Sequence, residues 1–489
     1  MKRLKQSRGI KVLVMVAVSI AISILAGGAN EEVKNPFLAD SPWPIAHQDA
    51  MAQDSSNYPG LLATDSIDTD YIERFASIGA HQKQITDPIS LLYSSDKKTV
   101  WGSSFFTVFV LDRSGSKLKL LDQFESPFIV NYINKDFYGS YSVLAKINGK
   151  EYFIKAKRRS IESYTLTSDH KIKRAGRYII KGVAKEEHLV GLSINQSGWL
   201  VFVTNKGRVG TVSNDLSQAS EIVQLPGYEK LDVSNSLAVN KDNSVYVVSS
   251  QYMNRLNWDP VTHNLYLAWY TDYDNGSSSQ KPGRLGIGSG STPSLMGNDK
   301  DGYYVVITDD ADVMNVDVFD CSSGEMVAST PVDFDDPSAT ESQSEQSVLV
   351  RGWRAIVVNN MYVHDNPIYH GDAPMGIEQL VFDPQSHSFE PSWVVKNYSV
   401  PSGIPTMSAA TNMMYALAKK KIVAPDGTEK AGPWGLVGID WDTGKVAFFH
   451  EAGFGLKYNS AYAATEVGYD NEIISGTALG VLRFTKRDE

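Results

Sequence analysis

The sequence lacks most of the features by which an enzyme class is read from motifs. It has one cysteine in 489 residues, Cys321, so an internal disulfide cannot form. Helical periodicity is almost absent after the amino-terminal segment, which argues against a helical fold. There is no nucleophile elbow, no His-Glu-x-x-His zinc pair and no cysteine pair for a metal. At 42% hydrophobic residues the chain is still globular, so its stability must come from packing.

Long hydrophobic runs are equally scarce, and the one present, Val12–Ala26, lies at the amino terminus. Residues 1–11, which precede this run, contain no acidic residue and five basic ones: Lys2, Arg3, Lys5, Arg8 and Lys11. Small residues follow through Ala29, which predicts a secretory signal peptide over residues 1–29. An uncleaved anchor is the alternative, although a spanning helix needs roughly 20 apolar residues. We therefore expect a periplasmic or extracellular protein with no membrane span in the mature chain.

The charge balance limits the choice of partner. The whole chain has a net charge of −10, and loss of the basic signal leaves the mature protein near −15. A surface of this sign repels nucleic acid and anionic membranes. We expect neither as a partner.

Short strands rich in β-branched and aromatic residues recur along the chain, separated by Gly, Asn, Asp and Ser turns. In the clearest stretch, Asp232–Tyr270, four strands follow one another through tight turns. The third strand of each unit ends on Asp or a polar substitute, at Asp112, Thr167, Ser213, Asp259, Asp320, Asp383 and Asp440. Four-stranded units repeated at this period predict an all-β fold, a β-propeller whose blades bury their faces against neighbours. Two separate sandwiches would not give so uniform a unit.

The third strands predict eight blades, while the irregular unit 126–180 leaves seven as the alternative. The predicted blades span 88–124, 126–180, 188–225, 232–272, 290–331, 345–396, 404–451 and 458–484. The last unit lacks a fourth strand, which we expect Tyr71–Ile78 to supply, because joining the two chain ends in one sheet closes the ring. The predicted domains are the signal 1–29, an N-terminal strap 30–70 and the propeller 71–489. The strap is expected to lie over the ring as a structural element.

The segment Gly438–Phe449, "GIDWDTGKVAFF", resembles the tryptophan-docking repeat of quinoprotein-like propellers. The matching residues are Asp440, Thr443, Gly444, Lys445 and Phe448, and Asp259, Thr262 and Trp269 form a similar set. In this repeat Asp caps a turn, Gly takes a positive φ and an aromatic side chain packs between blades. The resemblance implies an architecture and not an activity. The adjacent cysteines of quinoprotein dehydrogenases cannot exist here, so we expect no pyrroloquinoline quinone (PQQ).

Four long connections fall on one face of the predicted ring, where the second strand joins the third and the fourth joins the next blade. They are Thr271–Ser291, Pro331–Glu345, Asn359–Gly376 and Ala418–Gly435. Because structural loops tend to stay short, this loop-rich face of blades four to seven is predicted to be functional.

Candidate site residues on this face fall into two groups. Asp309, Asp312 and Glu345 could hold a hard cation such as Ca²⁺, although solvated acidic loops are the simpler interpretation. Candidate ligand-contacting residues are His47, Arg284, Asn359, Asn360, His364 and His370. Arg284 could instead pair with a neighbouring carboxylate, and His47 could belong to a purely structural strap.

These observations leave two functions open. The first is a propeller that binds a glycan, peptide or partner protein on the loop-rich face. The second is an enzyme, a lactonase, lyase or hydrolase with a metal or histidine site at the mouth of the channel.

Overall fold

The computed structural model describes residues 34–73, 75–78, 82–85, 90–104, 107–125, 141–227, 231–276, 280–282, 284, 286–361, 374–460 and 462–487. The predicted signal peptide lies outside these residues. Within them the only helix is the single 3-10 turn Leu456–Tyr458. None of the described segments forms a helix with the length and apolar character needed to cross a membrane.

Eight sheets, each with four strands paired antiparallel, confirm the eight-bladed propeller. Blade 1 consists of Ser90–Tyr93, Thr99–Ser103, Thr107–Asp112 and Lys119–Glu125. Blade 2 consists of Ser142–Ile147, Lys150–Lys157, Ser160–Leu166 and Ile172–Ile179. Blade 3 consists of Leu189–Ile194, Trp199–Thr204, Arg208–Ser213 and Val223–Gln224. Blade 4 consists of Ala238–Val239, Val245–Val248, Tyr252–Trp258 and Leu265–Asp272. The unit that looked irregular in sequence is therefore a regular blade.

The second half of the chain repeats the same meander. Blade 5 consists of Ser294–Asn298, Gly302–Thr308, Asn315–Asp320 and Met326–Pro331. Blade 6 consists of Leu349–Arg351, Arg354–Val358, Ile377–Asp383 and Ser388–Val395. Blade 7 consists of Thr406–Ser408, Met413–Val423, Glu429–Asp440 and Val446–Gly453, with Ser55–Ser56 and Tyr398–Ser399 added to its sheet. Blade 8 consists of Thr465–Val467, Ile473–Thr477 and Gly480–Lys486, completed by Ile67–Glu73.

An N-terminal strand closes the ring, but its limits differ from those predicted. Ile67–Glu73 pairs antiparallel with the third strand of blade 8, with Tyr71 opposite Leu482. Phe75–Ile78, the rest of the predicted strand, instead forms a two-stranded ribbon with Gln82–Ile85. The closing strand thus begins at Ile67, four residues before the predicted start at Tyr71, because the whole length of the third strand, up to Lys486, needs a partner.

The core lies between neighbouring blades. Tyr304 of blade 5, for example, packs edge-on against Phe382 and Trp353 of blade 6, with ring centroids 5.0 and 5.9 Å apart. Each blade therefore buries both faces only because it has a neighbour on each side.

The strap runs inside the ring and not over it. The first strand of each blade is a sheet edge that faces the channel, and an unpaired edge leaves backbone groups unsatisfied. The strap supplies carbonyl acceptors to these edges, blade after blade. The backbone N–H groups involved are those of Tyr93, Leu144, Val239, Leu295, Val350 and Met407, in blades 1, 2, 4, 5, 6 and 7. Trp43 and Ile45 are buried by this route.

Tryptophan docking links blades as the sequence repeat indicates. Trp393, on the fourth strand of blade 6, donates its indole N–H to the Trp441 carbonyl in the next blade at 3.0 Å. Trp269 of blade 4 makes the equivalent bond to the Cys321 carbonyl of blade 5 at 3.1 Å. In both cases the ring lies flat against the glycine of the receiving turn, Gly444 or Gly324. The repeat therefore encodes contact between successive blades.

Replacing Gly444 with Ala should lower the free energy of unfolding by about 2 kcal/mol. Gly444 has a φ of 68°, and a Cβ there would lie 2.5 Å from Cγ of Trp393, so backbone strain adds to displacement of the docked ring. Gly427 is the matched control, since its φ is 83° but a Cβ would meet nothing within 4 Å. Urea unfolding of both variants should show a loss for Gly427→Ala of about 1 kcal/mol or less. Equal losses would contradict the docking contribution.

One of the four predicted long loops is not a loop. Ala418–Gly435 continues the second and third strands of blade 7 as a long hairpin, with Val423 paired to Glu429. Alternating side chains in this segment are compatible with ladder pairing. Thr271–Ser291 and Pro331–Glu345 do connect the predicted strands, and most of Asn359–Gly376 lies outside the described residues.

Candidate functional site

His47 occupies the centre of the loop-rich face and is held by two polar partners. Its Nδ1 lies 3.0 and 3.1 Å from the two carboxylate oxygens of Asp54. Ser347, which precedes the first strand of blade 6, donates its hydroxyl to Asp54 at 2.6 Å and lies 3.2 Å from the same Nδ1. All three side chains are buried, with exposures of 4%, 0% and 4%. The imidazole is therefore fixed from one side.

The other ring nitrogen, Nε2, is buried and has no hydrogen-bond partner among the described residues. Buried polar atoms are normally paired, so an exception needs a physical reason. The strap could have presented an apolar residue here at lower cost. A buried imidazole with one nitrogen fixed and the other unpaired is suited to a ligand or to proton transfer.

The strap backbone around His47 is strained. Four residues other than glycine adopt a positive φ within eight positions: His47 at 64°, Gln48 at 73°, Ala52 at 57° and Asp54 at 53°. Such conformations cost free energy and persist only where surrounding structure enforces them. Here the tight loop is closed by a bond from the Asp54 N–H to the His47 carbonyl at 3.1 Å. The strain brings the two ends of the loop together so that Asp54 meets the imidazole.

Connections from several blades meet around His47. The ring of Tyr141, which leads into blade 2, lies 5.8 Å from the His47 ring, and its hydroxyl donates to Asn235 before blade 4. Asn235 in turn donates to the Gly290 carbonyl at 2.8 Å. Burial raises the pKa of Tyr141, and the charges of Asp54 and Glu345 add to this. The loop-rich face thus has a continuous polar centre, which we call the axial cluster: His47, Asp54, Tyr141, Asn235 and Ser347.

Further buried polar atoms surround the axial cluster without a partner in the described part of the chain. They belong to first strands or to the connections that lead into them: Ser142 Oγ, Ser294 Oγ, Gln343 Oε1, Ser460 Oγ and Glu466 Oε2. Burial raises the pKa of Glu466 well above its usual range, with a smaller contribution from the Asp54 charge. Burial therefore favours the neutral form of this carboxyl. The inner end of the face is polar and rich in hydroxyl groups.

Arg284 anchors the glycine-rich segment and is engaged within the protein. Its guanidinium lies 2.9 Å from Asp310 Oδ1 and also donates to the Gly288 and Ser289 carbonyls. Asp310 accepts a further bond from the Gly288 N–H at 3.1 Å. The alternative interpretation of Arg284, that it pairs with a neighbouring carboxylate and not with a ligand, therefore matches the geometry.

The three candidate metal ligands are used in different ways. Asp309 accepts bonds from the Asn315 backbone and side chain, both at 2.6 Å, and burial raises its pKa to about 6. Glu345 lies near the axial cluster, since its charge acts on Tyr141 and a Cβ on Gly290 would come within 2.8 Å of its carboxylate. Asp312 contributes its carbonyl to the Ser342 N–H. In the described part of the chain no three His, Cys, Asp or Glu residues are arranged as a metal site, so these three do not form one together.

The remaining candidates lie on the same face. Asn359 and Asn360 are buried and follow the second strand of blade 6. The Asn360 side chain accepts a bond from the Glu345 N–H, and its backbone N–H donates to the Gln343 carbonyl. His364 and His370 lie outside the described residues.

Sequence reasoning singled out His47 but missed four members of the axial cluster: Asp54, Tyr141, Asn235 and Ser347. A usable signal was present. A Ser or Thr occurs at, or two residues before, the start of the first strand in every blade except blade 3: Ser90, Ser142, Ser236, Ser294, Ser347, Thr406 and Thr465. Recurrent hydroxyl residues at the inner edge of one face indicate a polar centre.

Comparison with known proteins agrees with this architecture. The chain resembles a europium-containing methanol dehydrogenase, with a TM-score of 0.56 over 91% of this chain and 98% of that one, at 11% identity. The quinohemoprotein alcohol dehydrogenase of Comamonas testosteroni gives 0.57 over 95% and 84%, also at 11% identity. The fold is that of a quinoprotein-like propeller. Identities this low establish the fold of this chain and do not indicate its chemistry.

Sequence comparison adds one relative. An uncharacterised protein of Archaeoglobus fulgidus is 29% identical over 94% of this chain and 91% of its own length. No protein-family profile matches the sequence.

The described residues of the axial cluster do not suit an acidic quinone cofactor. A carboxylate-bearing quinone calls for free cationic groups. The cluster instead contains the carboxyl group of Asp54, Glu345 lies near Tyr141 and Glu466 near Asp54, and Arg284 is engaged by Asp310. We therefore derive no step through PQQ, and the expectation that this protein carries none stays a prediction.

Proposed function

We propose that this protein is an exported propeller that binds a small hydroxyl-bearing ligand, such as a sugar or polyol, at the axial cluster. The observation that carries the proposal is the buried, unpartnered Nε2 of His47 in the described structure, at the convergence of connections from blades 2, 4 and 6. A hydroxyl group can donate to Nε2 and accept from a neighbouring donor, so it satisfies this environment.

The surroundings support a polar and neutral ligand over an acidic one. The serine hydroxyls of the inner strands offer both donors and acceptors. The negative charges of Asp54 and Glu345 close to Tyr141 disfavour an anion. A net-negative mature surface acts in the same direction.

The tests use the mature chain from residue 30 with the strap intact. Neutral monosaccharides, polyols and aldonic acids would be added to histidine-labelled protein, and the His47 ring resonances followed by NMR. We expect a neutral compound to shift these resonances and to bind at least about tenfold more weakly to His47→Gln, the loss of one buried hydrogen bond of roughly 1.5 kcal/mol.

His188 provides the matched control. It is buried to a similar degree, 3% exposed, and lies just before the first strand of blade 3. His188→Gln should bind as the unaltered protein does. Affinity that is equal in His47→Gln and the unaltered protein would place the ligand elsewhere.

A further inference from the structure

We propose that the outer edge of blade 2 is a docking surface for a linear acidic polysaccharide, one whose sugars carry carboxylate or sulfate groups. The surface lies along residues 171–181, which contain the fourth strand Ile172–Ile179, and we call it the basic rim. Because fourth strands lie at the outside of the ring and the axial cluster lies beside the first strands, this inference goes beyond the proposed function and does not depend on it.

The charge of the protein is unevenly distributed over the ring. The whole chain has 46 Lys and Arg residues against 56 Asp and Glu. Blade 2, Ser142–Ile179, reverses this balance with ten basic residues against three acidic ones. Within residues 171–181 five of the eleven residues are basic, none is acidic and all five basic side chains are exposed: Lys171, Lys173, Arg174, Arg177 and Lys181. One blade therefore presents a positive edge on a protein that is otherwise strongly negative.

Protection of the sheet edge does not account for these cations. Charged side chains on an outer strand do prevent edge-to-edge aggregation, but all eight blades have such an edge. The fourth strand of blade 2 carries three basic residues, whereas the fourth strands of the other seven blades carry one among them, Lys119 of blade 1. The other edges therefore stay apart without cations, and the positive charge of blade 2 needs a separate reason.

Two arginines of the basic rim are held in place by one buried carboxylate. Glu162, on the third strand, is 1% exposed and lies 3.2 Å from Arg177 Nε and 3.7 Å from Arg174 Nη1. Lys157 lies 3.9 Å from the same carboxylate, so three positive charges share one negative charge. Burial lowers the pKa of Lys157, and repulsion from both arginines adds to this. The group thus has positive charge in excess, which an anion would compensate.

The two guanidinium groups are positioned for contact with an external anion. The side chains of Arg174 and Arg177 are each 47% exposed, so they reach from Glu162 to the solvent. A guanidinium has five N–H donors, more than one shared carboxylate can engage. Because Glu162 already fixes both side chains, less conformational entropy is lost when they bind carboxylate or sulfate groups.

The shape of the basic rim favours a single chain over a flat surface. The eight residues of its strand span roughly 25 Å in a line. Acidic residues border this line, since Asp122 of blade 1 pairs with Lys171 at 3.2 Å, and Glu186 and Glu221 are exposed on the side of blade 3. An anionic bilayer is wider than one blade and would meet these carboxylates as well, whereas a linear polyanion can follow the cations alone.

Recognition through side chains fits a polysaccharide better than a peptide. A peptide that adds a strand to a sheet needs a regular row of backbone donors and acceptors along the edge. The fourth strand has a bulge at its centre, because Ser163 pairs with Gly176 and Tyr164 with Arg174, which leaves Ala175 without a partner on the third strand. Such a bulge interrupts the row of backbone groups. Export, which the amino-terminal segment predicts, would also place the rim where acidic polysaccharides occur.

The first test measures binding of the mature chain from residue 30 to polygalacturonate, dextran sulfate and uncharged dextran. We expect at least one of the two acidic polymers to bind and the uncharged dextran not to bind. The affinity should fall at least about tenfold as the NaCl concentration rises from about 50 to about 200 mM, because ions are released from the polymer and from the rim. Free galacturonate should bind far more weakly than its polymer, since it contacts only part of the row. Equal affinity for dextran and dextran sulfate would refute the proposal.

Substitutions locate the polymer on the protein. Arg174→Gln with Arg177→Gln should weaken binding at least about tenfold, the loss of two ionic contacts. Lys173→Gln with Lys181→Gln leaves the contacts of Glu162 intact and should weaken binding at least about threefold. The matched control is Lys430→Gln with Lys445→Gln, which removes the same charge from exposed positions of blade 7 and should leave the affinity unchanged. If neither rim variant binds more weakly than this control, the docking surface is refuted.

The remaining outcomes separate this proposal from its alternatives. Circular dichroism shows whether the arginine variant folds, and the lysine variant decides the question if it does not. Tighter binding to duplex DNA or to phosphatidylglycerol vesicles than to either acidic polysaccharide, with the same dependence on the rim, would overturn the polysaccharide as the partner. His47→Gln should leave polymer binding unchanged, and the rim variants should leave sugar or polyol binding at the axial cluster unchanged. Failure of one proposal is therefore distinguishable from failure of the other.

Discussion

Glu472→Ala should lower the free energy of unfolding by about 3–5 kcal/mol, because it removes the shared partner of two buried arginines at the seam where the ring closes. Glu472 is 1% exposed and lies between blades 8 and 1. It accepts bonds from Arg113 Nε at 3.2 Å and from the Tyr93 hydroxyl at 2.8 Å, and lies 3.5 Å from Arg483 Nη1. Arg483 also contacts Asp70 on the closing strand at 3.3 Å, so the cluster joins both chain ends.

Asp470→Ala is the matched control, because Asp470 contacts the same Arg113 at 3.0 Å but its side chain is 82% exposed. An exposed ion pair contributes little, so the loss there should stay below about 1 kcal/mol. Glu472→Gln keeps the volume and the Tyr93 contact and should fall between the two. Guanidinium unfolding gives the free energies, and hydrogen exchange should show faster opening of blades 8 and 1. Similar losses for Glu472→Ala and Asp470→Ala would contradict this account.

Asp317→Asn should stabilise the protein, by about 3 kcal/mol at pH 8 and by close to nothing at pH 3. Asp317 lies on the third strand of blade 5 and is 1% exposed. Within the described residues neither of its carboxyl oxygens has a hydrogen-bond partner of ordinary geometry, and Ser329, opposite it on the fourth strand, lowers its pKa by less than burial raises it. Burial, with added repulsion from Asp309 and Asp274, raises its pKa to about 7.

The sign follows from proton linkage. The carboxyl of Asp317 has a folded-state pKa of about 7 against an unfolded value near 3.8, so the folded protein binds the proton more tightly. Its contribution to stability is complete below pH 3.8 and is lost as the pH rises through 7. A neutral amide of the same shape removes this loss. The difference in the free energy of unfolding between variant and parent, taken at each pH, isolates the titration of Asp317 from that of all other groups.

Asp320 at the end of the same strand is the control of opposite sign. Burial acts against its ionisation, but hydrogen bonds from Ser322 and Ser323 prevail and lower its pKa. Asp320→Asn should therefore destabilise the protein at pH 7 and have a smaller effect at pH 3, below the usual carboxyl pKa. If Asp317→Asn proved destabilising at pH 8, its carboxylate would have to be paired.

Much of the architecture follows from the sequence because its signals are local. The polar end of each third strand, the tight turns and the Asp–Thr–Gly repeat depend on residues within a few positions of one another, and they placed all eight blades. The docking glycine at 444 was recognisable for the same reason. The closing strand was assigned to the right part of the chain, but Phe75–Ile78 carries the same strand pattern as Ile67–Glu73 and pairs elsewhere.

The sequence by itself determined the fold class and the repeat. Only the tertiary structure decided the site, because its members are brought together across almost the whole chain. Ser347 reaches Asp54 from a position 293 residues away, and no local pattern encodes that contact. The path of the strap was decided in the same way. Its backbone acceptors match the inner strand edges only after the ring has formed, and that pairing turns His47 from a residue of a structural strap into the centre of the axial cluster.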